Sequence, residues 1–442
     1  MLLAFDNTDG PGGGCTTHAA FHVLLALPEL ALAGMPRLVR LNPNVPWKTR
    51  GNAAVVLPLV HPAGPQVRVG ELRGREVLAF PEGRPAEPGQ DVLERAWKAL
   101  TGLAQPEALP GVVMCRQAPP AALYWTAVRT FVPPGEARAA ADELDVLHRA
   151  AGDGRGLVGS LAAAAWPGPP SSFEVIAYRE PQRWGKARDL DPAPLMGLDA
   201  TGATFHTVDP VARKLTCVPR TPDPVLCGLR GRDPERLLAA AIPALALAAR
   251  EPVDGWLLWA SNQASGDHVT AVAALGEAPA LGTVQVEAEV VAPAERRQGG
   301  HAYVALRDGS GVPFEAVAFE PTHGFRDALS ALLPGDRVVV VGAASDGLVK
   351  LEKLRIVAPV AHRIKRNPLC PDCGRQMRSK GPSTGFRCSG CKARLPPSAL
   401  EWTESPRGIG TEWHEPPVMA RRHLHRPAGW DGPRVLPGLP VG

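Results

Sequence analysis

Aromatic side chains are scarce in this chain: they form 5% of 442 residues, with only three Tyr. A broad aromatic platform for stacking successive bases is therefore not its signature. Long apolar runs are missing too. No stretch of about twenty apolar residues is free of a charge or a proline break, and the most apolar run, Leu237 to Ala249, is too short to span a bilayer. The opening Met-Leu-Leu-Ala-Phe-Asp lacks a basic segment and soon turns acidic, so it does not read as a secretory signal. Neither sign of charge dominates. Forty-eight Arg and Lys against 44 Asp and Glu leave a net +4, which permits nucleic-acid binding without demanding it. The pattern G-x-x-x-x-G-K-[ST] is absent, which excludes a Walker-type phosphate loop. There is no internal repeat. These absences leave a soluble, cytoplasmic protein of roughly two to four domains.

Pro (48) and Gly (46) are plentiful, and the eight Cys are unevenly placed. Cys15, Cys115, Cys217 and Cys227 are scattered. The other four read Cys370-Pro-Asp-Cys373, fourteen residues, then Cys388-Ser-Gly-Cys391. Two CxxC turns at this separation supply four thiolates for a tetrahedral zinc ion, a zinc ribbon. The metal replaces the apolar core that so short a segment cannot build. Thiolate ligation implies a reducing compartment, so no structural disulfide is expected.

Leu2 to Phe5 reads as a short buried strand ending in Asp6-Asn7-Thr8-Asp9-Gly10 and a glycine-rich turn. Cys15-Thr16-Thr17-His18 then opens a helix through about Leu32, with Thr16 or Thr17 as N-cap. Arg37 to Leu41 and Ala53 to Val60 are strands around a polar loop, and Asp91 to Leu103 is helical. Residues 61 to 90 look like a loop or poorly ordered insertion. A helix is predicted over Ala139 to Ala150, and a domain boundary near 168. Strands and the Arg236–Arg250 helix then suit a small α+β unit to about 275. From 280 to 360, five strands with a short helix between the third and fourth predict an OB-fold barrel. Its aromatics, Tyr303, Phe314, Phe319 and Phe325, read as core. The ribbon follows, then a tail rich in Trp, Pro and Arg.

Asp6 and Asp9 flank a turn at a strand end. Such a pair can hold magnesium, which takes oxygen ligands and shares them with phosphate. The same residues also make an ordinary turn, and both readings stay open. Thr16 reads as a plain N-cap before it reads as a reactive hydroxyl. Lys48, Arg50, Gly51 and Asn52 put two cations and a flexible backbone in one loop, suited to clamping phosphate or simply to solvent. Gly154-Arg-Gly156 with Gly159 is too weak a pattern to carry an argument. In the tail, Arg421, Arg422 and His423 are placed to meet RNA phosphates, or to form a disordered basic end.

Taken in order, these stretches resemble the archaeal tRNA(Ile)-agmatidine synthetase family, TiaS. Asp6-Asn-Thr-Asp9 with Gly14-Cys-Thr-Thr17 is similar to its Asp-Asp-Thr-Asp…Met-Cys-Thr-Thr start, with Asn7 where the family has a second Asp. Leu41-Asn-Pro-Asn-Val-Pro-Trp-Lys-Thr-Arg-Gly-Asn52, Gly154–Gly159, Pro222–Gly231, Ser261–His268, the ribbon and the Ala420-Arg-Arg-His-Leu424 tail continue the series. The resemblance implies an α+β multidomain chain: a kinase-like α/β catalytic domain (1–168), a ferredoxin-like domain (169–275), an OB-fold (276–362) and a zinc ribbon with basic tail (363–442). It implies ATP-dependent joining of agmatine to the wobble cytidine of a CAU-anticodon isoleucine tRNA, with AMP and pyrophosphate as products. Asp6 and Asp9 would hold magnesium and ATP, with Asn7 and Thr8 beside them. Thr16 aligns with a phosphate-accepting threonine. Lys48, Thr49, Arg50, Gly51 and Asn52 would line the phosphate site, and Cys370, Cys373, Cys388 and Cys391 would bind zinc. Asn7 keeps a carbonyl oxygen but drops a charge, so a relative acting on another RNA or amine, or a non-catalytic binding protein, stays open.

Overall fold

The structure, a computed structural model, describes residues 1–49 and 51–430. The first strand, Leu2–Asp6, is apolar on both faces and must be covered on both. It lies between Ala53–His61 and Gly111–Cys115, antiparallel to each. Leu3 and Phe5 enter a core containing residues of helices Thr16–Ala26 and Gln90–Thr101. Leu2 and Ala4 enter a second core with helices Ala122–Arg129 and Arg155–Ala164. The strand that ends in Asp6 is thus held from two sides.

The sheet runs on across residue 168. Val253–Ser261 pairs in parallel with Arg37–Arg40 and antiparallel with Val67–Leu72. From Val67–Leu72 the pairing passes through Arg75–Ala79, Ala31–Leu32, Ala53–His61 and Arg37–Arg40, and so returns to Val253–Ser261. The ring is a first barrel. Ser172–Arg179 and Val225–Gly231 extend it, and helix Pro234–Ala248 packs on them. That helix begins where Asp233 accepts hydrogen bonds from the amides of Glu235 and Arg236, a side-chain N-cap.

The second barrel is separate. In Thr283–Val290 every second side chain is buried, the pattern of a strand with one wet face. It pairs with Ala302–Asp308 and with Arg337–Ser345; Leu348–Ala358 lies between Arg337–Ser345 and Pro313–Ala318, in parallel with the latter. Pro313–Ala318 pairs back to Ala302–Asp308, which closes the ring, and helix Gly324–Ser330 stands between the third and fourth strands. The five strands and the helix between the third and fourth follow the order expected from the sequence, closed into a barrel. A two-stranded neck, Arg363–Arg366 with Glu401–Glu404, leads to three short strands, Arg378–Ser379, Phe386–Arg387 and Arg394–Leu395, with the four Cys in turns outside them. Residues 405–430 then run back across the molecule. Among the described residues, no helix is long and apolar enough to cross a membrane.

Several elements differ from expectation. Residues 61–90 are not an unstructured insertion: Val67–Leu72 and Arg75–Ala79 form a hairpin. Its turn, Arg73-Gly74, has φ of 51° and 74°, the paired left-handed geometry that matches strand twist. The Pro, Gly and Arg content of the segment hides the alternation of Val67 and Val69. The helix expected over 139–150 ends at Glu143, and Leu147–Ala150 is a strand on Gly111–Cys115, so sheet pairing overrides helix propensity there. The first helix stops at Ala26, short of the expected end, because Pro28 follows. Its N-cap is Cys15, with no side-chain cap bond, rather than Thr16 or Thr17. Of the barrel aromatics, Phe314 and Phe325 are core, whereas Phe319 is exposed and Tyr303 packs under Arg297, 4.1 Å from its ring centre.

Candidate active site

The acidic elbow is built by three constraints. Asp6 closes the central strand, and Asn7 turns the chain with a φ of 61°. The Asn7 amide N–H donates to Asp6 Oδ1 (2.6 Å), and its side-chain Nδ2 donates to the Leu109 carbonyl (3.1 Å). Gly159 lies against the Asp6 carboxylate: an added Cβ there would meet Asp6 Cγ at 2.6 Å. Burial pushes the Asp6 carboxyl up to about 8, against the Asn7 amide, and the neighbouring Asp9 raises it further. A divalent cation with hard-oxygen preference would relieve both causes, so this donor set fits magnesium. Beyond the elbow, Gly10 and Gly13 bond to each other's backbone at 3.0 and 3.1 Å. Gly13 and Gly14 both take positive φ, which lets the chain reverse into helix Thr16–Ala26. Thr8 is buried, and its hydroxyl donates to Thr16 Oγ1 (3.1 Å).

The loop 42–52 closes one side. Asn52 Nδ2 donates to the Asn42 carbonyl (3.0 Å), and Lys48 Nζ to the Val45 carbonyl (2.9 Å). Burial, and Arg422 nearby, lower the Lys48 ammonium. Asp6, Asn7, Asp9, Trp47, Lys48, Thr49, Gly51 and Asn52 share a cleft of about 780 Å³ with Phe131, Arg155 and Gly159. Trp47 and Phe131 meet edge to face at 5.4 Å, and the Arg155 guanidinium stands 5.7 Å from the Trp47 ring centre. Arg50 lies outside the described residues.

A second cleft, of about 1030 Å³, lies on the other side of Asp9, Gly51 and Ala53, which line both. Its walls include Thr16 and Cys15, Arg40, Glu174, Arg220, Arg230 and His423. Glu174 is buried and accepts from Arg230 (3.1 Å) and Gln263, with Arg40 at 3.7 Å. Burial alone would raise its carboxyl; Arg230 and Arg40 hold it below the usual range. His423 is lowered well below the ordinary imidazole range by Arg40, burial and Arg230, so it stands neutral between two guanidiniums.

The structure brings Asp6, Asn7, Asp9, Lys48, Thr49, Gly51 and Asn52 to one cleft and Thr16 to the adjoining one. The tail residues are ordered rather than a loose basic end. Arg421 donates to the Pro416 carbonyl and pairs with Glu415 at 3.3 Å, Arg422 donates to the Pro43 carbonyl, and His423 is a cleft wall. In the ribbon, Cys370, Cys373, Cys388 and Cys391 place their sulfurs within 4.8 Å of one another, a donor set and spacing that fit zinc. Sequence reasoning missed Trp47, Phe131, Arg155, Arg40, Glu174 and Arg230. Trp47, Arg155 and Arg230 lie within blocks of the resemblance, Leu41–Asn52, Gly154–Gly159 and Pro222–Gly231, but none was singled out; Phe131, Arg40 and Glu174 carried no signal.

Comparison with known proteins finds matches along nearly the whole chain. Residues 2–153 match the family model of the TiaS TCKD domain, 154–268 that of the TiaS FLD domain, and 367–409 that of the TiaS C-terminal zinc ribbon domain. The isoleucine-tRNA 2-agmatinylcytidine synthetase TiaS of Methanosarcina mazei is 34% identical over 97% of this chain and 96% of its own length. That of Methanopyrus kandleri is 35% identical over 96% of each. The crystal structure of TiaS in complex with its isoleucine tRNA, AMPCPP and agmatine superposes with a TM-score of 0.78 at 27% identity, over 96% of both chains.

Proposed function

The chain belongs to the TiaS family, and from that membership together with its two adjoining clefts we propose that it joins agmatine to the wobble cytidine of a CAU-anticodon isoleucine tRNA at the expense of ATP. AMP and pyrophosphate are the products. The observation that carries the reading is the shared wall, Asp9, Gly51 and Ala53, between a cleft at the acidic elbow and a cationic cleft beside it. A nucleotide in the first and a base in the second would have their reacting atoms next to each other, which is what a bimolecular transfer needs most.

In this reading residues 1–168 form the kinase-like catalytic domain and 169–275 the ferredoxin-like domain, the sheet that joins them making a single catalytic body. Residues 276–362 and 363–442 are the RNA-holding modules. Asp6 and Asp9 hold Mg2+, with Asn7 and Thr8 shaping the turn. Mg2+ would neutralise phosphate charge as the transfer proceeds. Lys48, Thr49, Arg50, Gly51 and Asn52 meet the phosphates, and Trp47 and Phe131 flank the adenine. The cytosine carbonyl oxygen is a poor leaving group until ATP activates it; transfer of the adenylyl group to that oxygen releases pyrophosphate, the agmatine amine then displaces the oxygen as AMP, and Arg40 and Arg230 stabilise the charge that gathers there. Thr16, on the second cleft and bonded to buried Thr8, is where a phosphate acceptor belongs. Zinc orders the ribbon. Residues 363–404 hold nine Arg and Lys against three Asp and Glu, so the ribbon and neck carry more positive charge than the whole chain nets. That concentration suits the phosphate backbone of a folded RNA.

The test is AMP release from ATP with the cognate tRNA transcript, with and without agmatine. Release that depends on both supports the reading. Clean tRNA binding without agmatine-dependent release rejects it.

A further inference from the structure

The loop 42–52 lies beside both clefts. Among its described residues, the internal bonds are Asn44 N–H to Asn42 Oδ1, Asn52 Nδ2 to the Asn42 carbonyl and Lys48 Nζ to the Val45 carbonyl. From outside, Asn42 and Asn44 donate to Leu281 and Thr283 beside the second barrel and Trp47 rests on Phe131; two further grips come from far along the chain. Arg422 NH1 donates to the Pro43 carbonyl at 2.8 Å, at the start of the loop. The His423 ring presses on Gly51, at its end: a Cβ on Gly51 would lie 2.7 Å from both Cε1 and Nδ1 of that ring. Two consecutive residues thus brace both ends of one loop.

These residues are themselves firmly held. The backbone around them is tied to the first barrel, where Ala264 N–H donates to the His423 carbonyl and Gly266 N–H to that of Leu424. Leu424 is buried in the core under the Asp6 strand. Arg422 Nε pairs with Glu352 of the second barrel at 3.0 Å, and Glu352 also bonds His268. Upstream, Arg407 is bidentate on fully buried Asp336, and Trp413–His414 add to the edge of strand Leu348–Ala358. The segment 405–430 begins where the neck strand Glu401–Glu404 ends. One strap therefore joins the ribbon's neck, the second barrel and the loop.

We propose that Arg422 and His423 are positioning residues: the strap 405–430 holds loop 42–52 closed on the first cleft and mechanically links the rear modules to the nucleotide. The inference rests on the assignment of the first cleft to ATP, and it gives the two tail residues a role other than contact with RNA phosphates. A guanidinium bonded to Pro43 and Glu352 has its best donors facing inward, and the neutral His423 ring carries no charge to offer a phosphate.

The test uses the full-length protein and three variants: Arg422→Ala, His423→Ala and, from the loop side, Gly51→Ala. Deuterium exchange of the 42–52 amides, the Kd for MgATP and the Kd for the CAU-anticodon tRNA transcript are measured. Exchange of the loop should rise in all three variants, and MgATP affinity should fall about tenfold, the loss of one charge-assisted bond or close contact. For Arg422→Ala, at a residue that lines neither cleft, affinity for the tRNA should stay within about twofold. The Gly51→Ala/His423→Ala double variant should lose no more than the worse single, because both act on one contact. Unchanged exchange and MgATP affinity overturn the proposal, as does a loss confined to tRNA binding. If Arg422→Ala fails to fold, the other two decide. If the parent protein does not bind MgATP, the assignment of the cleft falls instead, and loop exchange alone decides the strap.

Discussion

Gly159→Ala perturbs the acidic elbow without replacing either of its carboxylates. Gly159 sits in helix Arg155–Ala164, where alanine is intrinsically better by about 1 kcal/mol. Here, however, its Cβ would overlap the Asp6 carboxylate and lie 2.6 Å from Cγ and 3.1 Å from Cβ of Asp6. Rotating the carboxylate cannot relieve a contact with its own Cβ, so the strand end must give. Overpacking of this kind costs about 1–3 kcal/mol. The net change in stability is then about 0–2 kcal/mol, or a Tm lowered by several degrees at most for a domain of this size. Function should suffer far more. Moving one carboxylate out of a metal–phosphate site removes an interaction of about 1.5–3 kcal/mol, roughly ten- to a hundredfold in affinity. Calorimetric titration with MgATP beside a melting curve checks both numbers. A variant that melts like the parent and binds MgATP equally well would show that Asp6 does not hold the metal, and the assignment of the first cleft would fail with it.

Removing zinc with a strong chelator, or Cys388→Ser, should abolish tight tRNA binding while MgATP binding persists, as filter binding and titration would show; equal loss of both would mean the ribbon supports the catalytic body. Asn7→Asp should lower half-saturating Mg2+ in AMP release severalfold, by adding a charge at the elbow, and lower stability by about 1 kcal/mol because the amide bond to Leu109 is lost. An unchanged Mg2+ dependence would place residue 7 away from the metal. Glu251, whose side chain is 1% exposed, pairs with Arg179 and Arg183. Burial would raise its carboxyl, but the Arg179 bond and its other partners pull it down to about 2. Its folded value lies below an unfolded one near about 4.3, so its stabilisation is complete above about pH 5 and drains away as pH falls toward about 2. Glu251→Gln should cost about 3–5 kcal/mol at neutral pH by leaving Arg179 buried without its partner, and should flatten that acid slope in chemical denaturation.

What could be read from sequence was local. Two CxxC turns define a zinc site because each supplies two ligands within four residues, and the fourteen-residue spacer lets them meet. The elbow was visible for a similar reason: an apolar strand, an Asp-rich turn and a glycine run declare themselves within one short window. The second cleft could not be read this way. Arg40, Glu174, Arg230 and His423 come from four separate elements, and each alone resembles an ordinary charge on a strand or tail. Glu174 is the clearest case, since nothing in Ser172–Arg179 says that its one acidic residue will be buried against Arg230, Arg40 and Gln263. The failed helix over 139–150 has the opposite cause. Its alanines favour a helix locally, but the strand Gly111–Cys115 offers residues 147–150 four paired partners, and no window along the chain contains that information.

The same non-local wiring bears on how such a reaction can be kept safe. A phosphorylated base is open to water, so the compartment that makes it must be closed before the chemistry begins. In this chain no single unit supplies a complete wall. The elbow and loop 42–52 come from the first unit, Glu174 and Arg230 from the second, and His423 from the end of the strap that follows the ribbon. The loop is also pinned to the second barrel, where Asn42 and Asn44 donate to the Leu281 carbonyl and Asn44 to Thr283. Contacts so distributed are lost together when any one body shifts. On the proposed reading, the first cleft therefore keeps its shape only while the second barrel and the strap 405–430 stay packed against loop 42–52.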